Sequence, residues 1–175
     1  MKKLIMLLVL LATTSCMSFS DKPLRSVRDS ITAQVPGIRL DKEFAVSIGS
    51  GLLNLIDVVT LNVADVSKMD HVQVAVYKIS GRRRNMDFDN MDLEETMLAK
   101  DSKLHWETIV RVREDGEQVW VLAGMNLAKN TLEAVTVFVL EDDELVLINV
   151  DGDLEHLIEF ALSPAEDRRA SVRTG

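Results

Sequence analysis

Two pairs of alternating segments in the last third of the chain constrain its fold most. Residues 105–125, HWETIVRVREDGEQVWVLAGM, alternate on both sides of Asp115-Gly116, a dipeptide typical of tight hairpin turns. Residues 131–152, TLEAVTVFVLEDDELVLINVDG, repeat this pattern around a pair of aspartates. Consecutive hairpins of this kind predict an antiparallel sheet.

The second hairpin carries apolar residues on both of its faces. Val135, Val137 and Val139 point to one side, and Phe138 and Leu140 to the other. A strand that is apolar on both faces is typical of the centre of a sheet, covered on both sides or buried in a partner. We therefore expect these strands to be central.

Earlier segments supply two more strands and three helices. Strands are predicted over residues 44–49 and 72–80, and amphipathic helices over 50–64, 86–104 and 153–163. The order is β-α-β-α-β-β-β-β-α. This order indicates an α+β fold, with a largely antiparallel sheet of five to six strands and helices packed on it.

The N-terminus has the layout of a bacterial secretory signal peptide, predicted over residues 1–15. A basic start at Lys2 and Lys3 is followed by the apolar run 4–12 and a polar, small-residue exit. The run is too short to span a bilayer, which needs about 20 residues. It also has no polar face for a core helix. We therefore expect this segment to be removed.

The cysteine that follows resembles the lipidated cysteine of bacterial lipoproteins. In their lipobox, small residues such as Thr14 and Ser15 precede a cysteine that is diacylated, here Cys16. Thr13 departs from the pattern, which usually has Leu there. The alternative is an ordinary secretory signal with Cys16 as an incidental thiol. Met17, where an Asp favours inner-membrane retention, implies an outer-membrane lipoprotein facing the periplasm.

The remaining chain is expected to form one domain. We predict the lipidated cysteine and a tether over 16–42, a single globular domain over 43–163 and a disordered tail over 164–175. Without Lys2 and Lys3 the chain keeps 18 basic against 28 acidic side chains, a net charge near −10. Such a charge disfavours nucleic acid, which carries a phosphate backbone.

No residue pattern indicates a catalytic, metal or cofactor site. His71, His105 and His156 stand alone in sequence, without the close pairs usual in zinc sites. The acidic stretch 87–95 lacks the glycine and ligand spacing of an EF-hand. No nucleophile elbow is present in the sequence. We therefore predict no catalytic residue, metal ligand or cofactor.

One basic cluster, Arg82, Arg83 and Arg84, interrupts this acidic chain. Three arginines in a loop are a candidate contact for an anion or a protein partner. The alternative is a solvated loop that balances the acids just after it.

Several segments together resemble the domain-of-unknown-function 4252 family of bacterial lipoproteins. They are the signal, VSIGSGLLNLI, VRVREDGEQVWVL and VFVLEDDELVLINVDGDL, and the resemblance covers about residues 43–160. It implies a single domain in the cell envelope. The family has no agreed activity, so the resemblance assigns no site.

Two functions fit these observations. The first is a lipid-anchored binding or structural module that presents a surface to another envelope protein. The strands carry more apolar residues than one core can bury, and those such as Trp120 and Phe138 would form that surface. The second is an envelope enzyme or small-ligand carrier whose site forms only in the folded chain, as a deep pocket with converging polar groups.

Overall fold

Residues 17–53, 68–81, 88, 91–114 and 116–155 are described by the structure, a computed structural model. A short 3₁₀ turn, Lys22–Leu24, precedes the first helix, and residues 50–53 are also helical. The elements described in full are β1 Met17–Ser18, α1 Arg25–Gln34, β2 Ile38–Gly49, β3 Met69–Gly81, α2 Leu93–Leu98, β4 His105–Glu114, β5 Glu117–Asn126, β6 Thr131–Glu141 and β7 Glu144–Gly152.

The strands form one antiparallel sheet in the order β1-β2-β3-β7-β6-β5-β4. Six of them are long, and β1 contributes two residues at one edge. The α+β fold with a largely antiparallel sheet is confirmed. So is the central place of the last hairpin, because β7 and β6 lie in the middle of the sheet.

Both predicted hairpins are present. Glu114 faces Glu117 across the first turn, where Gly116 has a φ of 95° that suits glycine. Glu141 faces Glu144 across the second, where Asp142 has a φ of 45°. Aspartate tolerates this left-handed conformation better than most residues. The turn chemistry thus fixes the register of both hairpins.

The hydrophobic core lies on one side of the sheet, under α1 and α2. Both helices contribute buried side chains to it, among them Val27 and Ile31 from α1 and Leu93 and Met97 from α2. The strands meet them with a set of buried residues: Leu40, Ala45, Ala75, Tyr77, Ile79, Trp106, Trp120, Leu122, Ala134, Phe138, Leu140, Leu145 and Leu147. We call this side of the sheet the core face.

The tether expected before residue 43 is wrong for the part that the structure describes. Leu24, Val27 and Ile31 follow one another at helical spacing and are fully buried in the core. The strand after them starts at Ile38 rather than Phe44. The helix is short and its neighbours are polar, so its periodicity is weak in the sequence. The domain therefore includes residues 17–42.

The helix expected over 86–104 is shorter than its pattern suggested. It begins after Asp92, whose carboxylate accepts a hydrogen bond from the backbone N–H of Glu95 at 2.8 Å. The Gln34 side-chain amide donates to the Asp92 carbonyl at 3.0 Å and accepts from its N–H at 2.8 Å. This clamp ties the start of α2 to the end of α1. The helix predicted over 50–64 is described only at residues 50–53, which are helical, and the helix predicted over 153–163 only at residues 153–155. The tail predicted over 164–175 lies outside the described residues.

Tyr77 is the most unusual residue of the core face. It is fully buried in β3, and its hydroxyl has no hydrogen-bond partner. Burial raises its pKa to about 12, and the negative charge of Asp21 adds to this. Asp21 is itself buried and forms ion pairs with Arg28 at 2.9 Å and Arg25 at 3.6 Å. A polar cluster thus fixes the N-terminal segment over β3.

Replacing Ile31 tests whether the N-terminal segment belongs to the domain. Ile31→Ala should lower the free energy of unfolding by about 3 kcal/mol, because it leaves a cavity at a fully buried site. Ala33→Ser, on the exposed side of the same helix, should change it by less than about 0.5 kcal/mol. Urea denaturation of both variants gives the comparison. Equally small changes in both variants would show that residues 25–34 do not pack in the core, as expected of a tether.

Tyr77 gives a second prediction, on alkaline pH. The folded-state pKa of about 12 exceeds the ordinary value of 10.0, so the unfolded chain loses this proton first. The stability that Tyr77 contributes is complete below pH 10 and is lost as pH rises toward 12. Because Tyr77 is the chain's only tyrosine, tyrosinate absorbance reports its titration directly. In Tyr77→Phe, the free energy of unfolding should fall less steeply between pH 10 and 12. A tyrosinate absorbance midpoint at the ordinary value of 10.0 would contradict the burial of Tyr77.

Candidate functional site

The side of the sheet opposite the core face is apolar across six strands. Strand register aligns its residues in three rows, of which two run from β2 to β4 and the third from β2 to β6. The rows are Phe44, Val76, Val146, Val139, Val119, Val112; then Val46, Val74, Ile148, Val137, Val121, Val110; then Ile48, Val72, Val150, Val135. We call this surface the valine face.

Every residue of the valine face is at least partly exposed. Phe44, Val110 and Val112 are the most exposed of them, at 47%, 42% and 48%. None belongs to the hydrophobic core cluster, and α1 and α2 both pack on the core face. Strand spacings of about 4.8 Å and two-residue repeats of about 6.7 Å give an apolar area on the order of 500 Å². This is at the upper end of what soluble monomers expose, and such patches mark interaction sites.

The exposed apolar residues are not the ones that sequence reasoning named. Trp120 and Phe138 are 4% and 0% exposed and lie in the core. Their expected place on the surface is therefore wrong. The alternating pattern separates the two faces of β5 and β6 correctly, but it does not say which face the helices cover. The valines that alternate with these aromatics form the open side.

A row of acids borders the valine face at the end where both hairpins turn. Glu114, Glu117, Glu141 and Glu144 occupy adjacent register positions on β4, β5, β6 and β7, and all four are exposed. Lys78 faces Glu144 from β3. We call the four glutamates the acidic rim.

A charged cleft lies at the opposite end of the sheet. Its volume is about 630 Å³, and its lining includes Asp70, His71, Lys100, Lys129, Glu133 and Asp151. Gly152 closes its base with a φ of 145°, where a side chain would clash with the Lys68 carbonyl.

Several charges of the cleft pair with one another. Lys100 Nζ lies 3.0 Å from an Asp151 carboxylate oxygen, and Lys129 Nζ lies 2.9 Å from Glu133 Oε1. The hydrogen bond from Lys129 lowers the pKa of Glu133 and raises that of Lys129. Glu133 is therefore held as a carboxylate, which is the wrong protonation state for a general acid at neutral pH.

A buried polar row lies next to the cleft on the core face. Gln73, Asn149 and Thr136 are neighbours across β3, β7 and β6, and Thr136 Oγ1 donates to Asn149 Oδ1 at 2.6 Å. The Gln73 side-chain oxygen and the Asn149 side-chain nitrogen have no partner. Each such atom carries a desolvation cost that an apolar residue would not. Gln73 and Asn149 do not line the cleft, so these unpartnered atoms do not indicate a ligand contact there.

The residues singled out from sequence do not converge on one site in the described part of the chain. Cys16, His156 and Arg82, Arg83 and Arg84 lie outside the described residues. His71 lines the cleft, whereas His105 begins β4. Across the described ranges, no group of three or more histidine, cysteine, aspartate or glutamate side chains could hold a metal ion. The valine face was anticipated in part, from the two apolar sides of the second hairpin.

Two further findings concern the chain as a whole. Among the described residues, no helix has the length and apolar character needed to cross a membrane. A family model described as a domain of unknown function, DUF4252, matches residues 40–156. No curated protein matches the sequence.

The buried polar row predicts a non-additive pair of substitutions. Thr136→Val removes the donor to Asn149 and should lower the free energy of unfolding by about 2 kcal/mol, because the Asn149 oxygen is left buried without its hydrogen bond. Adding Asn149→Leu should recover most of this loss, since both polar groups are then gone. Thermal unfolding of the two single variants and the double variant measures the coupling. Additive losses would show that the pair does not interact.

Proposed function

The chain belongs to the DUF4252 family, and from this premise and its open apolar face we propose that it is a lipid-anchored bacterial envelope protein that acts by binding. The anchor is Cys16, on the outer membrane, and the domain faces the periplasm. The bound partner is another envelope protein, held on the valine face. The single observation that supports binding is this face, which α1 and α2 leave uncovered.

The energetics of docking favour this proposal. An apolar area on the order of 500 Å², at roughly 25 cal/mol per Å², corresponds to about 12 kcal/mol of gross hydrophobic free energy. The loss of translational and rotational freedom on association offsets much of it. Burial of a matching apolar surface on the partner adds a further gross contribution of the same kind, which favours docking on this face.

The position of β1 supports an anchor held close to the domain. Met17 pairs with Ile48 in the sheet, so the residue next to Cys16 is already part of the fold. Two or more acyl chains on Cys16 give stable membrane attachment without a spanning helix. The domain would then lie directly at the membrane surface, where its partners would be other proteins of the same membrane.

A second function rests on the charged cleft. Its volume of about 630 Å³ suits a small polar ligand, as expected of a carrier or an enzyme. The internal ion pairs of Lys100 and Lys129 weigh against it, because a ligand would have to displace them or leave them intact. The valine face is therefore the stronger basis for a function.

The anchor is tested by the intact mass of the protein extracted from membranes. The wild-type chain should begin at Cys16 and carry a mass increment of several acyl groups, and Cys16→Ser should lose both the increment and membrane association. Thr14→Ala, which keeps a small residue beside Cys16, is the matched control and should leave both unchanged. An unmodified mass with cleavage elsewhere would make the protein a soluble secreted one and remove the anchor from the proposal.

A further inference from the structure

We propose that the occupant of the valine face is a protein whose apolar surface is bordered by lysine and arginine side chains, which pair with the acidic rim. This inference rests on the proposed binding function and adds the chemistry of the partner. Its basis is the arrangement of charge around the face.

The acidic rim places like charges against each other. Glu141 is directly opposite Glu144, and Glu114 is directly opposite Glu117. Like charges at directly opposed positions of an antiparallel pair are unfavourable, and any opposite charge nearby relieves them. Lys78 faces one of the four, Glu144, and its Nζ lies 4.0 Å from an Asp143 carboxylate oxygen. Basic residues on a docked partner would neutralise two unfavourable pairs at once.

The rim and the valine face form one continuous surface. Each rim glutamate lies two residues from an apolar residue of the face on the same strand: Glu114 from Val112, Glu117 from Val119, Glu141 from Val139 and Glu144 from Val146. Residues two apart in a strand point to the same side of the sheet. A partner that covers the valines therefore brings its own edge over the glutamates. Apolar centre and charged margin are the usual composition of a protein interface.

Two other occupants fit the charges less well. A second copy stacked by a two-fold axis along the strands would lay the acidic rim on itself. The other two-fold arrangement would lay it over the end that carries Asp70 and Glu107, and neither end has a basic row on its described strands. An anionic bilayer would also repel the rim, which adds to a net charge near −10 for the mature chain.

The test uses two synthetic amphipathic helices as probes, one of leucine and lysine and one in which every lysine is glutamate. The protein is the chain from residue 16 onward with Cys16→Ser, so that it stays in solution. We expect the lysine peptide to bind at least about tenfold more tightly at low salt, and this preference to shrink in high salt.

Matched variants locate the binding. Val74→Thr with Val137→Thr keeps β-branched residues on the sheet but makes the face polar, and should weaken binding of the lysine peptide at least about tenfold. Glu141→Lys should lower the preference for the lysine peptide about fivefold. Glu95→Lys changes the net charge equally on α2, away from the valine face, and should leave the preference unchanged.

Each contrary result has its own meaning. Equal binding of both peptides overturns the partner chemistry and leaves the binding function in place. Binding of neither overturns both, whatever the mass of Cys16 shows. A dimer in sedimentation equilibrium that the two Val→Thr substitutions dissociate identifies a second copy as the occupant. Sedimentation with phosphatidylethanolamine–phosphatidylglycerol vesicles, lost in the same variant, identifies the membrane. Either of these last two results overturns the inference.

Discussion

The pairing of β3 with β7 is the contact on which the rest of the structure depends. It joins the N-terminal strands to the four-strand meander that ends the chain, and so turns two small sheets into one. Its register also sets the two faces: Val74 lies beside Ile148, and Ala75 beside Leu147. A slip of one residue would put valines against the helices and the core residues in water. The core therefore fixes the position of every valine on the open side.

The two sides of this sheet differ in what packs against them. On the core face, α1 and α2 pack over the strands, and Gln34 ties the two helices together through the backbone of Asp92. On the other side, rows of mostly β-branched residues extend over four to six strands, and the acidic rim borders them at one end. β-Branched side chains stabilise the strands that carry them, and they do so here on the side of the sheet that α1 and α2 leave uncovered. The same residues form an apolar surface, and removing that surface from water lowers the free energy.

The sequence was sufficient to predict the elements, and insufficient to predict how they pack. Asp115-Gly116 and the alternation around it predicted a hairpin because turn chemistry and strand period are local. The role of Leu24, Val27 and Ile31 was missed because the 3₁₀ turn and the helix that carry them are short and are stabilised by the sheet rather than by their own sequence. Trp120 and Phe138 were assigned to the surface because alternation separates two faces without showing which one the helices cover. The cleft could not be predicted, since it brings together residues as distant in sequence as His71 and Asp151.

The central claim is that α1 and α2 cover one side of the sheet while no described element covers the other, and two adjacent residues of β6 test it most directly. Thr136 is fully buried on the core face, whereas Val137 is partly exposed on the valine face. In a Cys16→Ser background, Thr136→Cys and Val137→Cys each place a single, nearly isosteric thiol on one side. The rate of maleimide labelling under native conditions should be at least about tenfold higher at position 137. Equal protection of both thiols would show that the valine face is covered, and would contradict the account.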